Sequence, residues 1–389
     1  MLKTPEQLEV AEKTVLLRVD FNVPFDEEGK ILEDYRILAV KPTIEYLLKQ
    51  GSRIVLLSHL SAPNKLRAGF KEPTLAQVAL RASELFGVKV DFLPEIFSAK
   101  TEKYIREMKG GQLVLLENLR SEPGEEKNDE AFAAKLAGLG DVYINDAFGV
   151  CHRSHASLVS LPKLLPSAAG FLVAREIAVL EEVLKEISVA TLIVGGAKIS
   201  TKIKFIGKFL KEAANVLVGG ALANNLLQRE GLAVGRSLVE KDLTETDFEE
   251  IDLTSAKLHL PLDVLVARET ENGLPEKRGA GNIKDDELIF DIGPETLELF
   301  CRIIQASPLV VWNGPMGFFE KEEFFAGTAK IAQCLAGVKK SVIGGGETVL
   351  AAQKAGTLGA YWHISTGGGS MMDFLSGEEL PALKALNYY

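Results

Sequence analysis

Thr191-Leu-Ile-Val-Gly-Gly-Ala-Lys198 is an apolar run that ends abruptly in glycines and a lysine. A run with no polar face suits a strand covered by helices on both sides, the situation of a parallel sheet. Arg53-Ile-Val-Leu-Leu57 has the same character, and comparable runs recur at 15–19, 113–116, 142–145, 215–218, 263–267, 309–312, 341–343 and 361–364. Helical patterns fit between them at 73–86 with Thr74 as a cap, 200–214, 294–306 and 348–355. Such repeated strand–helix units predict an α/β protein built on parallel sheets.

At 389 residues the chain exceeds the length at which one hydrophobic core stops growing, so two domains are expected. Two prolines and small residues at 162–175 mark the boundary, and the long helical pattern at 171–187 reads as a helical connection. A net charge of -10 argues against a nucleic-acid partner, and no apolar stretch reaches the roughly 20 residues that span a bilayer. Residues 1–10 are polar and lack the pattern of a secretory signal, which makes the cytoplasm the expected location. Cys151, Cys301 and Cys334 are odd in number and widely spaced, fitting neither a disulfide framework nor a tetrahedral zinc site.

Ligands of open parallel sheets bind beyond the carboxyl ends of the strands, so the residues just after each run carry the functional signal. In the amino-terminal half these are Arg18-Val-Asp20-Phe-Asn22, Ser58-His59, Glu117-Asn118-Leu-Arg120 and Asn145-Asp146, with Cys151-His152-Arg153 and His155 beyond. Arginine forks of this kind match phosphate and carboxylate. In the other half the runs end in glycines: Gly195-Gly196, Gly219-Gly220, Asn313-Gly314, Gly344-Gly345-Gly346 and Gly367-Gly368-Gly369. Glycine turns that open helices expose backbone N–H groups to phosphate. One such turn alone is more often a tight turn, and one arginine more often a surface ion pair, but five and four instances point to ligands. Lys198 and Lys202 lie four apart on the expected helix, either as a solvated face or as phosphate contacts. Cys151 with His152 and His155 is a weak candidate for a nucleophile or metal site. Neither a Walker A motif nor GxGxxG is present, so the common nucleotide fingerprints are silent.

RVDFNVP at 18–24, LLENLR at 115–120, NDAFG at 145–149, HRSHAS at 152–157, GGAKIS at 195–200, WNGPMGFFE at 312–320 and STGGGS at 365–370 together resemble the phosphoglycerate kinase family along nearly the whole chain. The resemblance implies two Rossmann-like three-layer domains joined by a helical hinge. One, residues 1–170 with 378–389 packing back on it, would bind phosphoglycerate, and the other, 171–377, the nucleotide. It assigns Asp20, Asn22, Arg36, His59, Arg120 and Arg153 to phosphoglycerate, with Arg18 and His152 in the surrounding basic patch. Gly196, Lys198, Lys202, Asn313, Glu320, Gly344, Gly345, Gly346, Glu347 and Thr348 fall to the nucleotide, Thr348 as the cap of the phosphate-binding helix and Glu320 at the ribose. Arg36, Lys198, Gly345 and Gly368 would act in the transfer, ATP and ADP would be substrates, Glu347 would hold Mg²⁺, and the protein would be a monomer.

Two positions depart from the family pattern. Ser61-Ala62-Pro63 stands where Gly-Arg-Pro is usual, and Glu347 where the family has aspartate. A noncatalytic metabolite binder is therefore the second reading, and a dinucleotide-dependent dehydrogenase, which lacks its glycine fingerprint here, the third. Lys65 or Arg67 would supply the cation missing at Ala62.

Overall fold

A computed structural model describes residues 2–26, 28–61, 74–268 and 274–389. The chain divides into two compact units, Met1–Ala178 with Glu378–Tyr389, and Val179–Gly377. The division falls inside the helix Phe171–Lys185. Asp146 holds the start of that helix, its Oδ1 accepting from the Leu172 amide at 2.9 Å and the Val173 amide at 3.2 Å.

The first unit is built on β1 (Thr14–Val19), β2 (Arg53–Leu57), β3 (Val90–Leu93), β4 (Leu113–Leu116), β5 (Val142–Asp146) and β6 (Ser167–Ala169). They lie in the order β3-β4-β2-β1-β5-β6, and every pairing is parallel. All six residues of β1 are buried. Because side chains alternate across a strand, Val15, Leu17 and Val19 pack with Ile37, Ile44 and Val78 on one face, while Leu16 joins Leu136 and Tyr143 on the other. Both faces are thus covered, as the unbroken apolar run requires. Thr74 caps the helix Leu75–Phe86, accepting from the Ala76 amide at 3.0 Å. The tail Glu378–Tyr389 belongs to this unit, and its Ala382 amide donates to the Cys151 carbonyl at 3.2 Å.

The second unit contains β7 (Ala190–Val194), β8 (Asn215–Val218), β9 (Leu258–His259), β10 (Asp263–Ala267), β11 (Glu276–Gly279), β12 (Leu288–Ile292), β13 (Leu309–Asn313), β14 (Lys340–Gly344) and β15 (His363–Ser365). Six form a parallel sheet in the order β15-β14-β13-β7-β8-β9. The run at 263–267 is a correction to the expected series of parallel strands. It becomes β10, pairing antiparallel with β11 and β12 in a separate three-stranded sheet. Polar β11, Glu276-Lys-Arg-Gly279, is exposed or half-exposed throughout, and a sheet wetted on one side is tolerated by antiparallel pairing.

The cysteines also depart from expectation. Cys301 and Cys334 form a disulfide with Cα atoms 5.7 Å apart, joining the helices Pro294–Ala306 and Ala326–Leu335. Their separation of 33 residues hides that these helices share a core, in which Phe300, Ile304, Ile331 and Leu335 pack together. No helix among the described residues is long and apolar enough to cross a membrane.

Candidate active site

Strands β4, β2, β1 and β5 are neighbours, so the segments leaving their carboxyl ends emerge side by side. Ser58 ties two of these ends together, donating through Oγ to the Val19 carbonyl at 3.1 Å and accepting from the Phe21 amide at 3.0 Å. Asp20 thereby stands opposite His59, with Oδ1 3.8 Å from Nε2. Arg36 reaches in from the helix Tyr35–Ala39, Nη1 lying 3.4 Å from Asp20 Oδ2 and donating to the Asn22 carbonyl at 2.9 Å. Asn22 Oδ1 accepts from the Ser61 amide at 2.9 Å, and Arg120 Nη1 donates to Ser61 Oγ at 2.9 Å. Arg153 is exposed, within the electrostatic reach of Arg120 and His152. Ala62, Pro63, Lys65 and Arg67 lie outside the described residues.

These cations crowd one another. Burial, then the charge of Arg18 and more weakly Arg153, lowers the Arg120 guanidinium. Burial and Arg153 pull His152 down to about 4, and burial with Arg18 holds His59 well below the usual histidine range. Like charges gathered around a buried and a half-buried imidazole are costly without an anion, the arrangement expected of a binding site.

Arg18, expected in the basic patch, adds its charge to that cluster from within the core. It is fully buried and forms a wall behind His59. Cys151 is buried too, its thiol donating to the Ala147 carbonyl at 3.5 Å, and burial pushes that thiol far above its ordinary value. A buried, strongly protonated thiol is no nucleophile. Among the described residues no group of three His, Cys, Asp or Glu is placed to hold a metal ion.

In the second unit the glycine turns follow β15, β14, β13, β7 and β8, five adjacent strands. The backbones meet closely there. A Cβ on Gly368 would lie 2.6 Å from the Gly345 Cα, and Gly196 donates to the Pro315 carbonyl at 2.8 Å. Gly345 has φ 100°, a conformation open to glycine and not to branched residues, and it caps the helix Gly346–Lys354. Thr348 lies within this helix and is not its cap. Its Oγ1 accepts from the Gly314 amide at 2.7 Å, while Asn313 Nδ2 donates to the Gly344 carbonyl at 2.7 Å.

Lys198 and Lys202 precede the helix Ile203–Glu212, so they are not four apart on one helical face. The turn after β7 delays the helix start. Lys198 is exposed, whereas Lys202 is buried, its Nζ donating to the Gly195 carbonyl at 2.7 Å; burial lowers its ammonium to about 8. Glu347 is exposed beside it. A cavity of about 390 Å³ opens alongside, walled by Leu227, Leu238, Ile289, Met316 and Phe318 and rimmed by Gly196, Gly220, Glu320 and Glu347. Phe290 backs the wall, stacked on Phe324 at 4.7 Å and on Phe318 at 6.1 Å. This volume suits a small organic group, and the apolar wall with a glycine and carboxylate rim suits a base joined to a sugar phosphate.

A family model described as phosphoglycerate kinase matches residues 6–378. The chain belongs to the phosphoglycerate kinase family. A phosphoglycerate kinase of Thermomicrobium roseum is 42% identical over 393 residues, covering 99% of each chain. One of Moorella thermoacetica is 43% identical over 390 residues, covering 98% of each. Among solved structures, phosphoglycerate kinase from Pyrococcus horikoshii superposes with a TM-score of 0.88 at 33% identity, covering 100% of this chain and 98% of that one. The Coxiella burnetii enzyme gives 0.80 at 33% identity, covering 100% and 99%.

Three features of this family member escaped the sequence reading. Leu288–Ile292 is a strand outside the expected series, although Leu288-Ile-Phe290 is an apolar run, and it supplies part of the cavity wall. Glu125, fully buried, binds Ser157 Oγ at 2.6 Å and its amide at 2.9 Å, a pairing no local pattern announces. Asp291 is buried beneath the cavity, accepting from the Gly327 amide at 2.8 Å and the Ile292 amide at 2.9 Å.

Burial raises the Asp291 carboxyl to about 7. The fold therefore favours its protonated form. That contribution is fully present below the unfolded value near 4, and is lost as pH rises through about 7. Asp291→Asn cannot ionise, so urea unfolding should show the variant gaining a few kcal/mol on the parent between pH 5 and pH 8. A difference that does not change with pH would mean that Asp291 is ionised throughout.

Proposed function

We propose that this chain catalyses reversible transfer of the acyl phosphate of 1,3-bisphosphoglycerate to Mg-ADP, giving 3-phosphoglycerate and ATP. The observation that carries this reading is the row of five glycine turns on adjacent strands beside a nucleoside-sized cavity. Family membership, and the cluster of Arg36, Arg120 and Arg153 with Asp20 and His59, support it from the other unit.

A terminal ADP oxygen attacks the phosphorus, the P–O bond to the acyl group breaks, and the carboxylate of 3-phosphoglycerate leaves. No covalent enzyme intermediate is needed. Catalysis then consists of alignment and of donors matched to charge on the transferring oxygens, the task assigned to Arg36, Lys198 and the amides around Gly345 and Gly368. The base lies in the cavity, Glu320 takes the ribose, and Lys202 with the turns at Gly196, Asn313 and Gly344–Gly346 receives the phosphates. Mg²⁺ suits a single carboxylate plus substrate phosphates, so the exposed Glu347 fits it as a ligand, and the ion supplies charge neutralisation when bound. Phosphoglycerate is held by Asp20, Asn22, His59, Arg120 and Arg153. The same reading makes the protein a cytoplasmic monomer.

The direct test is ATP formation from bisphosphoglycerate and ADP by the purified chain. Folded protein that binds ADP yet forms no ATP would shift the reading to a metabolite binder. A finer test uses Lys202. With its ammonium near 8, about half is neutral at pH 8 before nucleotide binds, and phosphate then draws a proton onto it. Calorimetry of ADP binding in buffers of different ionisation enthalpy should report uptake of roughly half a proton at pH 8, absent in Lys202→Arg. Equal uptake in both proteins would separate Lys202 from the phosphates.

A further inference from the structure

Arg18 sits at the next-to-last position of β1 and has no exposed surface. Its Nε donates to Ser157 Oγ at 2.9 Å and its Nη1 to the Val19 carbonyl. Nη2 lies 3.3 Å from His59 Nδ1 and 3.9 Å from Glu125 Oε1. Ser157 is itself held by both oxygens of Glu125. The guanidinium is therefore fixed in place by a buried carboxylate and hydroxyl, with one N–H edge turned to the imidazole.

A guanidinium carries donors only and stays protonated in proteins. The ring nitrogen facing it must accept, so the ring proton belongs on Nε2, the nitrogen turned toward Asp20 at 3.8 Å. We propose that Arg18 is a positioning residue that fixes His59 as the neutral Nε2–H tautomer and so aims an uncharged donor into the anion site. The surroundings agree. Burial and the charges of Arg18, Arg120, Arg36 and His155 all disfavour an imidazolium, and Asp20 is the carboxylate that faces the ring. The arginines supply the site's charge, while His59 supplies a directed hydrogen bond without adding to their repulsion. The consequence for binding rests on the reading of this unit as the phosphoglycerate site; the tautomer itself does not.

Nitrogen-15 NMR of the full chain, labelled at histidine rings, tests both parts. The parent protein should show an unprotonated Nδ1 and a protonated Nε2 for His59 from pH 6 to 8. A protonated Nδ1, or an imidazolium in that range, overturns the proposal. Arg18→Lys keeps charge and donors and should retain the tautomer. Arg18→Met with Glu125→Gln removes both buried charges together, so neither is left unpaired. In that protein His59 should titrate nearer its ordinary value, and KM for 3-phosphoglycerate should rise about tenfold at pH 8 with a smaller change in kcat. An unchanged His59 spectrum and KM in the double variant would make Arg18 a structural ion-pair partner and nothing more. The expected spectra in a protein that forms no ATP would leave the tautomer standing and count against the proposed reaction.

Discussion

Replacing Arg36 by alanine is expected to lower kcat by about 10²- to 10³-fold, the usual cost of removing one donor matched to transition-state charge, with KM for 3-phosphoglycerate little changed. In the structure the half-buried Arg36 leans on Asp20 and on the Asn22 carbonyl. On the proposed mechanism it would act on the phosphoryl group in flight, when charge spreads over oxygens that a planar fork can bridge. Arg36→Lys keeps the charge and loses the fork, so it should recover only part of the rate. Steady-state kinetics in both directions gives the answer. If KM climbs while kcat holds, Arg36 is a ground-state binding residue.

Gly220→Ala should cost about 2 to 5 kcal/mol of stability and abolish measurable ADP binding, combining a forced left-handed residue with backbone overlap. Gly220 opens the helix Gly220–Arg229 at φ 63°, and an added Cβ would lie 2.6 Å from the Gly196 nitrogen, 2.8 Å from the Pro315 oxygen and 2.9 Å from the Gly196 oxygen. All three are main-chain atoms of the turns that form the cavity rim, so none can rotate away. Gly231, at φ 79° with nothing within 4 Å of its Cβ position, is the control for backbone conformation alone. Gly231→Ala should lose only the conformational part, about 1 kcal/mol, and keep full nucleotide affinity. Thermal unfolding and ADP calorimetry on the two variants separate the terms. Equal losses would show that close approach at Gly220 contributes nothing.

Most of the strands that recur in the sequence are buried on both faces. Val15 to Val19 and Thr191 to Val194 announce themselves because every residue is apolar or shielded. Ser167–Ala169 and Leu258–His259 are too short to carry a period, and Glu276–Gly279 too polar, so they were invisible. The candidate site divides in the same way. Asp20, His59 and Arg120 could be singled out because they follow such strands, and sheet order then gathers them. The partners that hold them could not. Glu125 lies 32 residues from Ser157, and the latter 139 from Arg18. The cysteine pair and the antiparallel placement of Asp263–Ala267 failed for the same reason, since each depends on which distant element packs alongside.

The first unit is assembled from two stretches of chain, and the second stretch, Glu378–Tyr389, is synthesised after all of Val179–Gly377. On the ribosome the order of completion is thus the reverse of the order of emergence. Val179–Gly377 has its full complement of residues while the first unit still lacks the segment whose Ala382 amide meets Cys151, directly before His152 and Arg153. A chain that ended at Gly377 would contain every strand of the second unit and lack the last segment of the first. The growing polypeptide thus has every residue of its second unit before the last residues of its first.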